Sequence, residues 1–278
     1  MRIRQRWIRI VMTTVFGIIA VTSVYPLFWL LLNSFKDTNE IMTGESFGLP
    51  SFWKIENYTD AIFNRDILKY FFNSVFITGL TLILTTVAAI MLSYALVRMK
   101  WKLSHKVSKM VTLGILLPSQ IVIVPIFMML RELNLINNPL SLVLTISSFN
   151  IPMAVIMCSS FLSSIPYEME EAAVMDGAGI FSILFRVIVP IIKPAIATMV
   201  INTFINSWNE FIYALVLISD DKYKTLPIAL MNYSSGKYGT DYGGMFAAMI
   251  ITSILPILLF IFFSNQVEKT FSAGSILK

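Results

Sequence analysis

Residues Phe71–Val97 read FFNSVFITGLTLILTTVAAIMLSYALV, twenty-seven positions without one Asp, Glu, Lys or Arg. About 20 apolar residues suffice for a helix to cross the hydrocarbon core of a bilayer. In that solvent only a helix or a closed barrel satisfies every backbone group. Barrel strands alternate apolar and polar residues over about ten positions, and this run is continuous, so it predicts a membrane-spanning helix. Five further runs share its character: Ile10–Leu32, Val107–Leu130, Leu140–Leu162, Ala195–Ile218 and Met245–Ser264. The expectation is an all-α integral membrane protein with six transmembrane helices. It divides into a basic N-terminus at 1–9, a membrane domain at 10–264 and a tail at 265–278.

The rest of the 278-residue chain agrees. It is 56% hydrophobic and 13% charged, about half the charge of an ordinary soluble domain. A water-soluble fold of this composition would expose large apolar patches. Arg2, Arg4, Arg6 and Arg9 precede the first run, which is too long for a cleaved leader and is read as a retained signal anchor. Lys and Arg favour the cytoplasmic side of a membrane. With the N-terminus inside, thirteen basic residues fall inside and eight outside, so both termini are expected in the cytoplasm. The net charge of +5 then faces anionic headgroups, and nucleic acid is not an expected partner.

The long inside loop, residues 164–194, has its own pattern. It opens Ser164-Ile165-Pro166-Tyr167-Glu168-Met169-Glu170-Glu171-Ala172-Ala173-Val174-Met175-Asp176-Gly177-Ala178-Gly179 and continues through Phe185, Ile188 and Pro190 to Pro194. Read physically it is helix, turn, helix. Ser164 and Pro166 suit a helix start, the three glutamates suit the positive end of its dipole, and Gly177 and Gly179 let the backbone reverse. Small residues on one side and carboxylates on the other fit either a groove on a partner or an ordinary amphipathic loop on the membrane surface.

The run Glu171-Ala172-Ala173, then Asp176-Gly177-Ala178, then the two prolines, resembles the EAA motif of ATP-binding cassette (ABC) importer permeases. The resemblance extends along the chain. Tyr25-Pro26-Leu27-Phe28-Trp29, Ser34-Phe35-Lys36, Glu56-Asn57-Tyr58, Phe72-Asn73-Ser74, Ser207-Trp208-Asn209-Glu210-Phe211, Thr225-Leu226-Pro227 and the tail Phe271–Lys278 are similar to the smaller, second permease of maltose-type systems. It implies the type I importer fold in a bacterial inner or plasma membrane. It also implies binding-protein-dependent uptake of a di- or oligosaccharide. The implied partners are a second, homologous permease, two ATPase subunits that bind the ATP and magnesium, and an extracellular or periplasmic solute-binding protein. Glu170, Glu171, Ala172, Ala173, Asp176, Gly177 and Ala178 would make or shape the ATPase contact. An importer for a non-sugar solute, or a polytopic enzyme acting on lipid or cell-wall sugars, are the rival readings.

Two polar stripes cross the apolar runs: Ser74, Thr78, Thr81 and Thr85 in the second, and Thr198, Asn202, Asn206, Asn209 and Glu210 in the fifth. Such groups must face protein or water. They either line a path for a sugar, with Asn206, Asn209 and Glu210 as the pathway residues, or hold helices together. Pro118, Pro125, Pro152 and Pro256 are expected to kink their helices. No catalytic or metal-binding set is expected. His105 is the one histidine and Cys158 the one cysteine, and no G-x-x-x-x-G-K-[ST] phosphate loop occurs, Gly236-Lys237 being followed by Tyr238. The chain itself is therefore expected to bind no cofactor and to be no enzyme.

Overall fold

The computed structural model describes the backbone of residues 2–233 and 240–276, and side chains from Arg6 to Phe263 except Glu45 and 234–239. Gly236-Lys237-Tyr238 and the last two tail residues lie outside the described residues. The helices are α1 Arg2–Asn33, α2 Thr38–Met42, α3 Glu56–Thr59, α4 Ile67–Val97, α5 Ser104–Leu116, α6 Ile123–Glu132, α7 Pro139–Leu162, α8 Glu168–Met175, α9 Ile180–Ser182, α10 Val189–Ile191, α11 Lys193–Trp208, α12 Ile212–Leu217, α13 Leu226–Met231 and α14 Tyr242–Ile276. No strand occurs among the described residues.

Four stretches, within α1, α4, α7 and α14, are each long and apolar enough to cross a membrane. Two bent pairs, Ser104–Leu116 with Ser119–Glu132 and Ile180–Ile191 with Lys193–Trp208, bring the number to as many as six, each pair counted as one broken span. The basic N-terminus is helical and continuous with the first span, and α14 carries the backbone of the tail to Ile276. α14 continues through Pro256 and α7 through Pro152.

The third run is broken rather than kinked. α5 and the segment Ser119–Glu132 meet at 95°. Pro118 drives the residue before it out of the helical region, and Leu117 accordingly sits at φ −81°, ψ 112°. The fifth run also differs from one continuous helix. α11 stops at Trp208, Asn209-Glu210-Phe211 form a break, and α12 follows. α11 alone is only about 24 Å long. The expected stripe therefore holds as far as Asn206, and Asn209 and Glu210 belong to the break.

Two compact units divide the chain. One comprises residues 1–68 and 229–254. In it the end of α1 turns at Ser34, whose hydroxyl meets the Tyr58 hydroxyl at 2.6 Å. Buried Asn57 donates to the carbonyls of Ser34 and Lys36, both at 2.9 Å, and Phe35 packs on Trp53 and Tyr58. The motifs Ser34-Phe35-Lys36 and Glu56-Asn57-Tyr58 thus form one cap. Beside them Lys54 bonds Asp37 at 2.7 Å, which holds the Asp37 carboxyl below its ordinary range. Arg65 pairs with Asp241 at 2.6 Å.

The other unit comprises residues 69–228 and 255–278. Here α7 is central, with α5 and α11 both packed along it. Asn138 caps α7 by accepting the Leu140 amide at 2.9 Å, and Pro139 occupies the first helical position. α5 approaches closely at Gly114, where a Cβ would lie 2.9 Å from the Pro152 ring. Two apolar clusters fill the unit. One gathers Ile90, Tyr94, Val155, Leu162, Ile188 and Met199, and the other Ile77, Leu130, Leu142, Ile146, Tyr213 and Leu217.

Candidate functional site

The stripe on α4 is buried. Ser74 and Thr78 are 3% exposed, and Thr81 and Thr85 are fully enclosed. Ser74 accepts the Leu226 amide at 2.9 Å, and Ser207 donates to Thr78 at 3.3 Å. Neighbouring Asn73 donates to the carbonyls of Lys222 and Lys224. Asn73, Ser74 and Thr78 join helices and loops within the unit, which is the packing reading for this end of the stripe, while the Thr81 and Thr85 hydroxyls are buried without a hydrogen-bond partner among the described residues.

The α11 residues behave differently. Asn206 and Asn209 are exposed and Glu210 is half-buried. With Ser119, Asn150 and Tyr213 they line a cavity of about 320 Å³, whose apolar wall is Ile146, Phe149 and Ile205. Both helix breaks create it. At the first, the Ser119 carbonyl, released beside Pro118, accepts the Tyr213 hydroxyl. At the second, Glu210 turns its carboxylate onto the start of α12 and accepts the Tyr213 amide at 2.8 Å, satisfying a donor that a helix N-terminus leaves open. Phe149 stacks on Tyr213 with centroids 5.8 Å apart.

The polar wall is held in place by its own bonds. Asn150, 6% exposed, donates to Ile146 and accepts from Asn206 at 3.0 Å, and Asn209 donates to Ile205. Each of these bonds uses one of the two amide hydrogens of Asn206 or Asn209, so the other hydrogen and the carbonyl oxygen of each can serve a guest hydroxyl as donor and acceptor. No His/Cys/Asp/Glu cluster able to hold a metal occurs among the described residues. Cys158 is buried in the α7 face and contacts Met199.

The second feature is the loop after α7. The Ser164 hydroxyl donates back to the Phe161 carbonyl at 2.7 Å and so finishes α7 rather than capping α8. α8 starts at Glu168 and is closed by a Schellman motif. The Gly177 amide reaches the Val174 carbonyl at 2.9 Å and the Ala178 amide reaches Ala173 at 3.0 Å. Gly177 adopts φ +80°, a left-handed conformation open to glycine. A π-helical stretch, Ile183–Ile188, follows α9, and the chain bends by 80° before α11.

Around this turn Glu171, Ala172, Asp176 and Gly177 are exposed, while Ala173 and Ala178 are half-buried against the core. Large apolar side chains stand out beside them: Met175 at 86%, Phe181 at 64% and Val174 at 57% exposure. Glu170 departs from the expected outward carboxylate face. It is 8% exposed and turned inward, with Arg98 Nε 2.7 Å from one oxygen and the Tyr94 hydroxyl 2.9 Å from the other. Sequence reading did not single out Arg98, Tyr94, Asn150 or Tyr213. Arg98 carried a signal, being the first charge after an uncharged span. Asn150 was a polar residue inside an apolar run.

Comparison with known proteins agrees with this architecture. The backbone superposes on a chain of the crystal structure of a bacterial ABC transporter involved in the import of the acidic polysaccharide alginate, with TM-score 0.79, 22% identity and 94% and 96% of the two chains covered. It also superposes on a chain of the methionine ABC transporter MetNI in an inward-facing form, with TM-score 0.57, 18% identity and 73% and 95% covered. In sequence it is 33% identical to a diacetylchitobiose uptake system permease protein of Streptomyces coelicolor, over 92% of this chain and 85% of that one. It is 28% identical to an arabinooligosaccharides transport system permease protein of Bacillus subtilis, over 96% and 95%. The model of the binding-protein-dependent transport system inner membrane component matches residues 86–272, which take in the cavity and the loop after α7. The chain belongs to this family of multi-pass membrane permeases, the transport subunits of ABC importers rather than enzymes.

Proposed function

We propose that the chain forms half of the transmembrane pathway of an importer in a bacterial cytoplasmic membrane. The importer takes up an oligosaccharide delivered by an external binding protein. A second, homologous permease supplies the other half, and two ATPase subunits, which bind ATP and magnesium, supply the energy. The observation that carries the reading is the exposed end of α8, where carboxylates and bare apolar side chains share a rigid, glycine-closed turn. An apolar group as open as Met175 on a membrane protein's loop suits a protein partner. Glu171, Ala172, Asp176 and Gly177 form the docking face, Ala173 and Ala178 set it against the core, and Glu170 holds it from behind.

The oligosaccharide assignment rests on the relatives named for diacetylchitobiose and arabinooligosaccharides and is consistent with the cavity. Amide and carboxylate acceptors beside a stacked aromatic pair suit a hydroxyl-rich ring. Their number is small enough for release, and transport requires the two states of the pathway to bind the cargo differently.

The test is to purify the tagged chain gently from its native membrane, then assay the complex in proteoliposomes with its binding protein. A second permease and a Walker-containing ATPase should accompany it. Chitooligosaccharides and arabinooligosaccharides head the uptake panel. Glu171→Lys and Gly177→Pro should insert normally yet abolish ATP-driven uptake, because the first reverses charge at the dock and the second removes the Val174 bond and forbids the positive φ. Normal uptake by both variants would overturn the docking assignment.

A further inference from the structure

Arg98 sits at the junction of three elements. It follows α4 directly, and its own amide still bonds the Tyr94 carbonyl at 2.9 Å. Its guanidinium donates through Nη2 to the carbonyls of Leu162 and Ile165, at 2.9 and 2.7 Å. Leu162 ends α7, where carbonyls lack helical partners and a cation is favoured. The guanidinium carbon also lies 4.2 Å from the centre of the Tyr167 ring, just before α8. Nε approaches Glu170 of α8 without a linear N–H···O line, so that contact is chiefly charge attraction. Two tyrosines close the ring: Tyr94 of α4 donates to Glu170, and Tyr167 donates to the Val97 carbonyl at 3.0 Å. The Arg98 side chain is 3% exposed and that of Glu170 11%.

A buried guanidinium costs several kcal/mol to desolvate, so the site must fix it from several sides. A surface loop needs no such device. The middle of one tied element supplies the consequence. On α7, Asn150 and Phe149 line the cavity, and Asn150 lies twelve residues before Leu162, or about 18 Å along the axis. One continuous helix thus carries the cavity wall at its middle and Arg98 at its C-terminal end.

We propose that Arg98 is the positioning residue that welds α8 to the ends of α4 and α7, so that a displacement of the docking helix moves both membrane helices as one body. This rests on the docking role of α8. Glu170 is its counter-charge, and Tyr94 and Tyr167 fix the two to each other. Breaking the weld should leave the dock in place and lose the stroke.

The experiment uses the whole complex in proteoliposomes. In Arg98→Gln, ATP hydrolysis should stay within twofold of normal while uptake falls at least tenfold. Arg98→Lys, which keeps the charge but loses the planar fork, should fall between. A merely structural role would lower hydrolysis, uptake and complex yield together. A cysteine pair at Val97 and Tyr167, joined by a short bismaleimide, replaces the weld covalently, and buried Cys158 stays out of the reaction. Because Tyr167→Cys itself removes one tie of the weld, each cysteine pair is compared before and after bridging: the bridge should raise uptake of the Arg98→Gln pair at least threefold and should not lower that of the pair with Arg98. Normal uptake by unbridged Arg98→Gln, or a block of uptake by the bridge with Arg98 present, would overturn the proposal. If Arg98→Gln does not assemble, the bridged complex with Arg98 decides alone. Should Glu171→Lys uncouple while Arg98→Gln does not, the weld fails and the docking reading stands. Should Glu171→Lys also import normally, the docking reading itself falls.

Discussion

At the scale of single residues, Glu210 shows how a membrane carboxylate can look functional and be structural first. Its oxygen closes the open start of α12 at the Tyr213 amide, and Tyr213 in turn holds the Ser119 carbonyl. The cavity wall therefore depends on the cap. Glu210→Ala should lose about 1 kcal/mol, the usual value of a cap, and the purified complex should melt at a lower temperature. Glu210→Gln keeps an acceptor at the same place and should melt near the parent. Equal melting of both variants would show that the bond contributes nothing. Position in an apolar run announced this residue, because lipid leaves few reasons for an acid. Its partner could not be read, since the break between α11 and α12 carries no proline. Glu170 failed in the opposite sense. Three glutamates in four positions look like one solvated face, and only the fold brings Arg98, seventy-two positions earlier, against the middle one.

At the scale of elements, the spans were legible because lipid imposes a length and a composition that few other constraints imitate. How they end was less so. Gly177 revealed the close of α8, since a positive φ selects glycine. Ser164 misled, because a hydroxyl before a helix and one after a helix look alike in sequence, and this one bonds backward to Phe161. Pro118 announced a kink but not a 95° turn. Its ring forces Leu117 out of the helix, and four 3₁₀ residues follow before α6. The break also frees the Ser119 carbonyl for Tyr213. Pro118→Ala should let α5 extend, withdraw that acceptor and loosen α12. We expect at least a fivefold fall in uptake with the amount of assembled complex little changed. Uptake equal to the parent would mean that the turn serves packing alone.

At the scale of the whole chain, the charge pattern makes a prediction that internal contacts do not. Basic residues concentrate in the N-terminus, with four, and in 98–109, with five, while ten of the sixteen acids fall in 33–70, 131–138 and 218–245. The positive-inside bias predicts residues 164–194 in the cytoplasm, on the side of the proposed ATPase, and residues 33–70 outside, on the side of the proposed binding protein. Coupling needs this arrangement, because a docking helix on the outer side could meet neither nucleotide nor ATPase. A single cysteine placed at Phe52, 71% exposed, should react with a membrane-impermeant maleimide in intact cells. One placed at Met175, 86% exposed in this chain and beneath the proposed ATPase, should react only after the membrane is opened and the ATPase is stripped from it. The native Cys158 is enclosed and should give no background. Labelling of Met175→Cys in sealed cells would reverse the topology, and with it both the docking face and the weld that depends on it.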